Sequence, residues 1–471
     1  MAAGFTPATR AAWLALVDKT LKGADLESLV SRMADGLTIS PLYTAEDSAA
    51  PAVLTPAPRG AEGAWDVRAV VRAASPAEAN RQALDALNGG ASSVLLAVDP
   101  TGARGVAVGS AADLAAVLDG VMLELAPIAL DAGFLGSTCA GWLCAAAKAS
   151  PAAPLAFHCD PMSAFAAAGA SPGPIETHVS AAAAALAPLA QTYPKASLFL
   201  AGGTVVHEAG GSADLELAFA VAAAVAYAKA LVGAGLTRRD AFKRIVLGLS
   251  VDHEPLTAIA KLRAARVLWR RVTSACDAET RLRIEARSSN RMLTRADRWS
   301  NLVRLTASGF AAAVGGADAI ALGCFTDAAA EPDDLALRMA RNTQLILMEE
   351  AHVGAVVDPT AGGWSFETLT ADLAHAAWGA FVAIEAAGGI VGALTGGLIA
   401  DRVVAGREAL AAAVGDGRRR IIGVTDFASA EAIARAADRP AHSTPAPDVS
   451  LPGPDSVCSA LTPVRLEEMA T

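Results

Sequence analysis

Aromatic side chains are scarce in this chain, at 5% of 471 residues, and charged side chains make up only 18%. The first shortage excludes a core built on stacked rings. It leaves alanine and the aliphatic residues to fill the interior, which favours helices packed closely through small side chains. The second, beside 53% hydrophobic residues, excludes a disordered chain. A cation excess is also missing. The net charge is −10, whereas a nucleic-acid surface needs basic patches to neutralise phosphates. The six cysteines form no C-x-x-C pair and read as reduced, buried thiols of a cytoplasmic protein. No apolar stretch reaches the ~18 uncharged residues of a membrane span. The run 217–232 comes closest, but Lys229 interrupts it and it reads as a buried helix. The N-terminus lacks the basic-then-apolar pattern of a signal peptide. The glycine pairs at Gly202-Gly203, Gly210-Gly211, Gly315-Gly316 and Gly362-Gly363 lack G-x-G-x-x-G or Walker spacing, so they read as turns.

What is present is a long alternation of strands and helices. Residues 1–64 read as an arm: a helical stretch with Trp13, Leu14, Leu16 and Val17, then Leu26, Leu29 and Val30, followed by a Pro/Ala/Gly/Thr-rich linker over 51–63. Such an arm must pack either on its own core or on a partner. From Trp65, eight short apolar runs, at 67–72, 93–98, 122–125, 155–159, 197–200, 245–251, 282–287 and 317–322, are separated by helical patterns. Ser75-Pro76-Ala77-Glu78 has the form of a capping box, and Ser110 and Thr237 each stand three residues before an acid. Eight strand–helix units predict parallel strands closed into a (β/α)8 barrel over 65–389. Helices and a short strand-like run at 421–424 are expected in a C-terminal extension, 390–440, with a further helix around 429–436. Residues 441–471 form a Pro/Ser-rich tail or linker, expected to lack fixed structure of its own.

In a barrel, chemistry gathers at the C-terminal ends of the strands. That rule selects His158, Cys159 and Asp160, then His207 and Glu208, then Asp252, His253 and Glu254, with Arg283, Glu285 and Arg287 on the seventh strand. Converging in one mouth, they would suit a divalent metal or acid–base work. Taken singly, each histidine is better explained as a satisfied structural group, and no metal site is assigned.

Longer motifs carry more information. Ala260-Lys261-Leu262-Arg263-Ala264-Ala265-Arg266 with Leu268-Trp269 resembles the A-K-L-R-A-x-R-x-L-W helix of the methylmalonyl-CoA mutase barrel. Arg341-Asn342-Thr343-Gln344 with Glu349-Glu350, and Val357-Asp358-Pro359-Thr360-Ala361-Gly362-Gly363, are similar to that family's R-N-T-Q…E-E helix and D-P-x-G-G turn. Glu208-Ala209-Gly210 with Glu216-Leu217-Ala218, Leu293-Thr294 with Asn301-Leu302-Val303-Arg304, and Ala313-Val314-Gly315-Gly316 are similar to three further segments. The resemblance runs from about Trp65 to Phe427. It implies a CoA ester threaded along the barrel axis and a radical rearrangement of methylmalonyl-CoA to succinyl-CoA, initiated by adenosylcobalamin.

The sequence departs from the catalytic pattern where that chemistry is done. The strand-one motif R-P-W-T-I-R-Q-Y keeps Trp65 and Arg68, but its tyrosine is Val70. In G-Y-H-M-Q-E-A-G the histidine is Val205, which can neither donate a hydrogen bond nor carry a proton, and His207 falls on the glutamine. On strand seven, histidine and glutamine become Glu285 and Arg287. A glutamate there would repel an anionic acyl-CoA, and the two charges are expected to pair across the bore and fill it. The D-x-H-x-x-G pattern of the cobalamin module does not occur, and Leu461-Thr462-Pro463-Val464-Arg465-Leu466 looks like the linker that precedes that module. The resemblance therefore implies a barrel with no catalytic residues and no bound cofactor. Arg68, His207, Glu208 and Arg287 would be vestigial mouth residues. The expected partner is a catalytic large subunit carrying adenosylcobalamin, in a 1:1 heterodimer. The alternatives are a split acyl-CoA mutase with a separate cobalamin domain, and a barrel with a metal or small-ligand site using His158, His207, His253 and Glu254.

Overall fold

The computed structural model describes residues 8–32, 37–47, 65–329, 331–428 and 447–470. Eight parallel strands close into a barrel: β1 (Asp66–Val71), β2 (Ser93–Ala97), β3 (Ile128–Asp131), β4 (Ala156–Cys159), β5 (Ser197–Gly202), β6 (Ile245–Val251), β7 (Ile284–Ser288) and β8 (Ala319–Ala321), with β8 paired to β1. Seven of the eight expected runs match a strand to within a few residues. The exception is 122–125. Its Met122 and Leu125 are 67% and 72% exposed, in a turn where the Leu125 N–H donates to the Met122 carbonyl at 3.0 Å. A strand of a parallel barrel is covered on both faces. Ile128, Ala129 and Leu130, just past Pro127, meet that demand with all three side chains buried; the earlier run is interrupted by Glu124.

The helices that matter below are α1 (Arg10–Leu21), α2 (Pro76–Asn88), α3 (Ala213–Gly233), α4 (Pro255–Ala275), α5 (Ser300–Val314), α6 (Asp334–Leu345), α7 (Trp364–Ala386) and α8 (Leu398–Gly415). The expected caps form: Ser75, Ser110 and Thr237 each accept the N–H three residues on, satisfying donors that a helix start leaves orphaned. α3 is buried over most of its surface, with Lys229 and Val232 exposed near its C-terminal end, and packs against β5, β6, α4 and α7, as a mostly apolar helix must. It is the one described helix long and apolar enough by itself to cross a membrane, and 72% of that window is buried within the structure.

The C-terminal helices are continuous with this core. Ile390, Leu394, Ile399 and Val403 join the same apolar cluster as the barrel's outer layer. Residues 421–424 form a turn rather than a strand. The Val424 N–H returns to the Ile421 carbonyl at 2.9 Å, and Gly423 takes a φ of 86° that only glycine adopts freely. The linker over 51–63 and the helix expected at 429–436 lie outside the described residues. The arm begins with α1, capped by Thr9, but no described arm residue is buried. An Arg10–Asp47 ion pair holds the arm to itself, while partly buried Leu37 packs against the main core and the Thr368 hydroxyl donates to the Asp47 carbonyl at 3.1 Å.

The tail departs from expectation. It has little regular structure, but its path is set by backbone hydrogen bonds to the barrel's loops. Leu451 N–H reaches the Pro172 carbonyl (3.0 Å), Cys458 reaches Gly169 (2.8 Å), Leu461 reaches Ala166 (2.8 Å), Val464 reaches Glu208 (2.8 Å) and Leu466 reaches Arg291 (3.0 Å). The segment thus crosses the strand C-terminal ends from the β4 side to the β7 side. Gly169 permits the approach, since a Cβ there would lie 3.0 Å from the Ala460 methyl. Composition missed this because the anchoring groups are main-chain amides rather than a run of apolar side chains.

Leu466 inserts beside Leu410, Val414 and Ile421 and is 2% exposed. Leu466→Ala is expected to lower unfolding free energy by about 2–4 kcal/mol in urea titration; an unchanged midpoint would mean that the tail is not docked in solution.

Candidate functional site

Alternation along each strand decides what enters the bore. On β7, Ile284 and Ala286 join the outer apolar layer, so Glu285 and Arg287 point to the axis. On β1, Val70 packs in the inner layer with Leu95, Ala129, Ala156 and Ala321, and Arg68 lies one step below it. These small side chains leave room on the axis, and charge fills it. Glu285 is fully buried and accepts from Arg68 through Oε2 and from Arg287 Nε through Oε1 at 2.7 Å. Arg287 reaches across to Asp131 on β3 at 2.5 Å. Arg68 also binds Asp66 at 2.5 Å and the Ser93 hydroxyl on β2 at 2.9 Å. His158, at the end of β4, brings Nδ1 to 3.5 Å from Glu285. Four strands, β1, β2, β3 and β7, therefore contribute to one polar network across the axis, with His158 of β4 beside it. A cavity of about 200 Å³ opens beneath it at the strand N-terminal ends, lined in part by Arg68, His158, Lys195 and Glu285.

Burial alone would raise the Glu285 pKa, but Arg287 and Arg68 outweigh it and hold the carboxyl well below the usual carboxylate range. Burial pushes His158 down to about 3, only partly opposed by Glu285, so it sits there as neutral imidazole.

A second polar network occupies the mouth. His207 Nε2 meets the Ser289 hydroxyl at 2.9 Å, and its Nδ1 lies 3.6 Å from Glu216. Glu216 is clamped by Lys261 Nζ at 2.5 Å and by the Ser250 N–H at 2.6 Å. Burial raises the Glu216 pKa, but Lys261 and His207 overcome it and bring it to about 2. His207 is lowered to about 4, first by burial and then by Arg291. Glu208 accepts from the Asn290 N–H at 3.0 Å. Arg291 donates to the His207 carbonyl at 3.0 Å and lies 3.7 Å from Asp252.

The expected mouth residues thus divide. His158 and His207 face different glutamates. Asp160 caps the helix Pro161–Ala168 and accepts the Tyr227 hydroxyl at 2.5 Å. Cys159 is buried behind it. Glu254 pairs with Arg419 at 3.1 Å. Arg283 is not at the mouth: β7 starts one residue later, so it lies at the opposite end, donating to the Lys243 carbonyl at 3.1 Å. Among the described residues, no three His, Cys, Asp or Glu side chains converge where they could hold a metal. Val205 is partly buried against the outer core. The partners Asp66, Asp131, Glu216 and Lys261 were not identified from sequence as network residues. A lone charge inside an apolar run, as at Glu216 in α3, was the available signal.

The motifs also bind one another. Arg263 of α4 pairs with Asp358 of the D-P turn and with Glu367 at 2.7 Å. Trp65 Nε1 donates to Gln344 of α6 at 3.3 Å. Arg304 donates to Thr294 at 3.0 Å and Asn301 at 2.7 Å.

Two outcomes are expected of these networks. Glu285→Ala leaves Arg68 and Arg287 buried without their shared anion and should cost about 3–5 kcal/mol in chemical denaturation, whereas an exposed carboxylate would cost under about 1 kcal/mol. His158, His207 and His253 all titrate below the ordinary range, at about 3, 4 and 4, chiefly through burial. Below the unfolded histidine pKa of about 6.5 the unfolded chain then binds more protons than the folded one. Stability should fall as pH drops from about 6.5 towards 4, by at most about 1.4 kcal/mol per pH unit for each histidine; a urea midpoint that stays level from pH 7 to 5 would contradict neutral burial.

Comparison with known proteins agrees with this architecture. The family described as Methylmalonyl-CoA mutase matches residues 58–441. A methylmalonyl-CoA mutase small subunit of Streptomyces virginiae is 38% identical over 95% of this chain and 74% of its own length. A probable small subunit of Mycobacterium tuberculosis is 37% identical over 77% of this chain and 61% of its own length. The small subunit of Propionibacterium freudenreichii subsp. shermanii is 32% identical over 83% of this chain and 64% of its own length. The chain therefore spans less than two thirds of the last two relatives. With the closed eight-stranded barrel, the interlocking motifs and matches of this extent, the chain belongs to the methylmalonyl-CoA mutase family.

Proposed function

We propose that this chain is the structural, non-catalytic small subunit of a heterodimeric adenosylcobalamin-dependent mutase, whose large subunit converts methylmalonyl-CoA to succinyl-CoA. The observation that carries the reading is the ion-pair network of Arg68, Glu285, Arg287 and Asp131 across the barrel axis. A CoA ester following that axis would have to displace four charged groups that pair with one another, and breaking a buried pair costs several kcal/mol. The two positions that would act on substrate hold Val70 and Val205, which offer no hydrogen bond and no proton.

The residues present do not fit adenosylcobalamin either. Adenosylcobalamin supplies the initiating radical when bound. Here Glu208 and Asn290 are hydrogen-bonded to each other, and the tail lies across the strand ends through the Glu208 and Arg291 carbonyls. No step of the rearrangement is therefore assigned to this chain.

The relatives' printed name, small subunit, supports a larger partner, and we infer a 1:1 complex with it. The unburied arm supports the same reading, with Leu16 at 64% and Leu29 at 42% exposed on elements that bury nothing of their own. Net charge −10 and six free cysteines support a cytoplasmic location.

The test is reconstitution. With adenosylcobalamin, this chain alone should turn over no methylmalonyl-CoA, and mixing with the large subunit should give a 1:1 complex and turnover. Val70→Tyr combined with Val205→His should leave the isolated chain inactive, since the charged bore remains. Turnover by the wild-type chain with only a separate cobalamin-binding domain would overturn the reading.

A further inference from the structure

The helices flanking β1 do not close over it. Between α2 and α6 runs a groove of about 230 Å³, floored by the outer face of β1 at Val67 and Ala69 and walled by Ala86, Leu337 and Ala340. The seam beneath is thin. β8 pairs with β1 only at Ala319↔Asp66 and Ile320↔Val67, while β2 pairs with β1 from Arg68 to Val71. Ala69 is accordingly only partly buried, although it lies where helices would normally cover a barrel strand.

Five arginines line this groove, and three are engaged by acids. Arg68 binds Asp66 and Glu285, and Arg72 binds Asp327. Arg81 holds Glu78 at 2.6 Å, Asp85 at 2.8 Å and Asp334 at 3.2 Å, which also accounts for the two aspartates of the lining. Arg338 and Arg341 remain, one turn apart on α6 and so on one face. Among the described residues neither forms an ion pair, and Arg341 Nε is buried without a hydrogen-bond partner. The Arg341 guanidinium lies flat on Gly89 at the end of α2, where any Cβ would overlap it. The absence of a Cβ at Gly89 therefore leaves the guanidinium the space it occupies. Gln82 lines the same groove from α2.

We propose that this groove binds a small amphipathic oxyanion, its carboxylate or phosphate held by Arg338 and Arg341 and its apolar body laid on Ala69, Ala86, Leu337 and Ala340. Guanidinium forks match both head groups in bidentate geometry, and an apolar pocket with a few placed polar groups is the usual form of a small-molecule site. Its cations lie on the outer side of the wall from the bore, so the site is independent of the subunit reading.

The test uses the purified full chain and three probes in separate calorimetric titrations: hexanoate, acetate and inorganic phosphate. Saturable one-to-one binding of hexanoate or of phosphate is expected, with a Kd of about 1 mM or tighter. Hexanoate binding at least about tenfold tighter than acetate would show that the apolar wall contributes, and tighter binding of phosphate would assign the head group as phosphate; both support the site. Arg341→Gln and Arg338→Gln should each weaken the better probe about tenfold, a loss of about 1.4 kcal/mol. Arg338 is exposed, so its variant should keep the wild-type melting temperature and serves even where Arg341→Gln does not fold. Absence of saturable binding by every probe up to about 10 mM, or affinity unchanged in a folded Arg338→Gln variant, overturns the proposal.

Discussion

A carboxylate with no solvent exposure at the centre of a β-barrel sets the terms for this molecule. Glu285 can stay ionised only if cations meet it on the axis, because an unpaired buried charge costs many kcal/mol. Arg68 and Arg287 supply them, and each guanidinium then needs acceptors for its remaining N–H groups, found in Asp66, Asp131 and the Ser93 hydroxyl. The network grows outward until strands β1, β2, β3 and β7 are linked through side chains as well as through the ladder. Such an arrangement is no more stable than a well-packed apolar core of the same volume. It does fix one register, since a one-residue slip of β7 would turn Glu285 and Arg287 outward into the helix layer.

The motifs that mark the family are largely contacts between distant parts of the chain. Arg263 with Asp358, Trp65 with Gln344, and Glu216 with Lys261 each join segments of separate sequence motifs. A chain can therefore keep the motifs while holding valine at 70 and 205, because the retained residues hold helices against the barrel whatever stands at those two positions. Fold and chemistry are separable within one sequence.

The barrel was legible because each strand is a short apolar run and each helix start carries its own chemistry, as at Ser75 and Thr237. β3 was misplaced because 122–125 and 128–131 each hold three apolar residues and one acid, and their difference in burial depends on neighbours far away in sequence. The charges at Glu285 and Arg287 were legible as a pair, yet their partners were not. Asp66 and Asp131 stand at opposite ends of their strands, and only closure of the barrel brings them to one axis. Arg283 shows that membership of a strand does not place a residue at its mouth: with a start at 282 or at 284, residue 283 lies at the opposite end. The groove between α2 and α6 had no sequence signal, because it arises from how far two helices stand apart.

The tail's course over the mouth bears on the order in which the chain folds. Its amides find acceptors on loops that follow β4, β5 and β7, which lie at their final spacing only once the barrel has closed. These contacts join segments far apart in sequence, and the entropy of closing such long loops must be met before they can form. During synthesis the strand ends would stay bare until residues 451–466 had emerged from the ribosome. A partner or chaperone that meets the growing chain therefore encounters a barrel end that the docked tail later crosses.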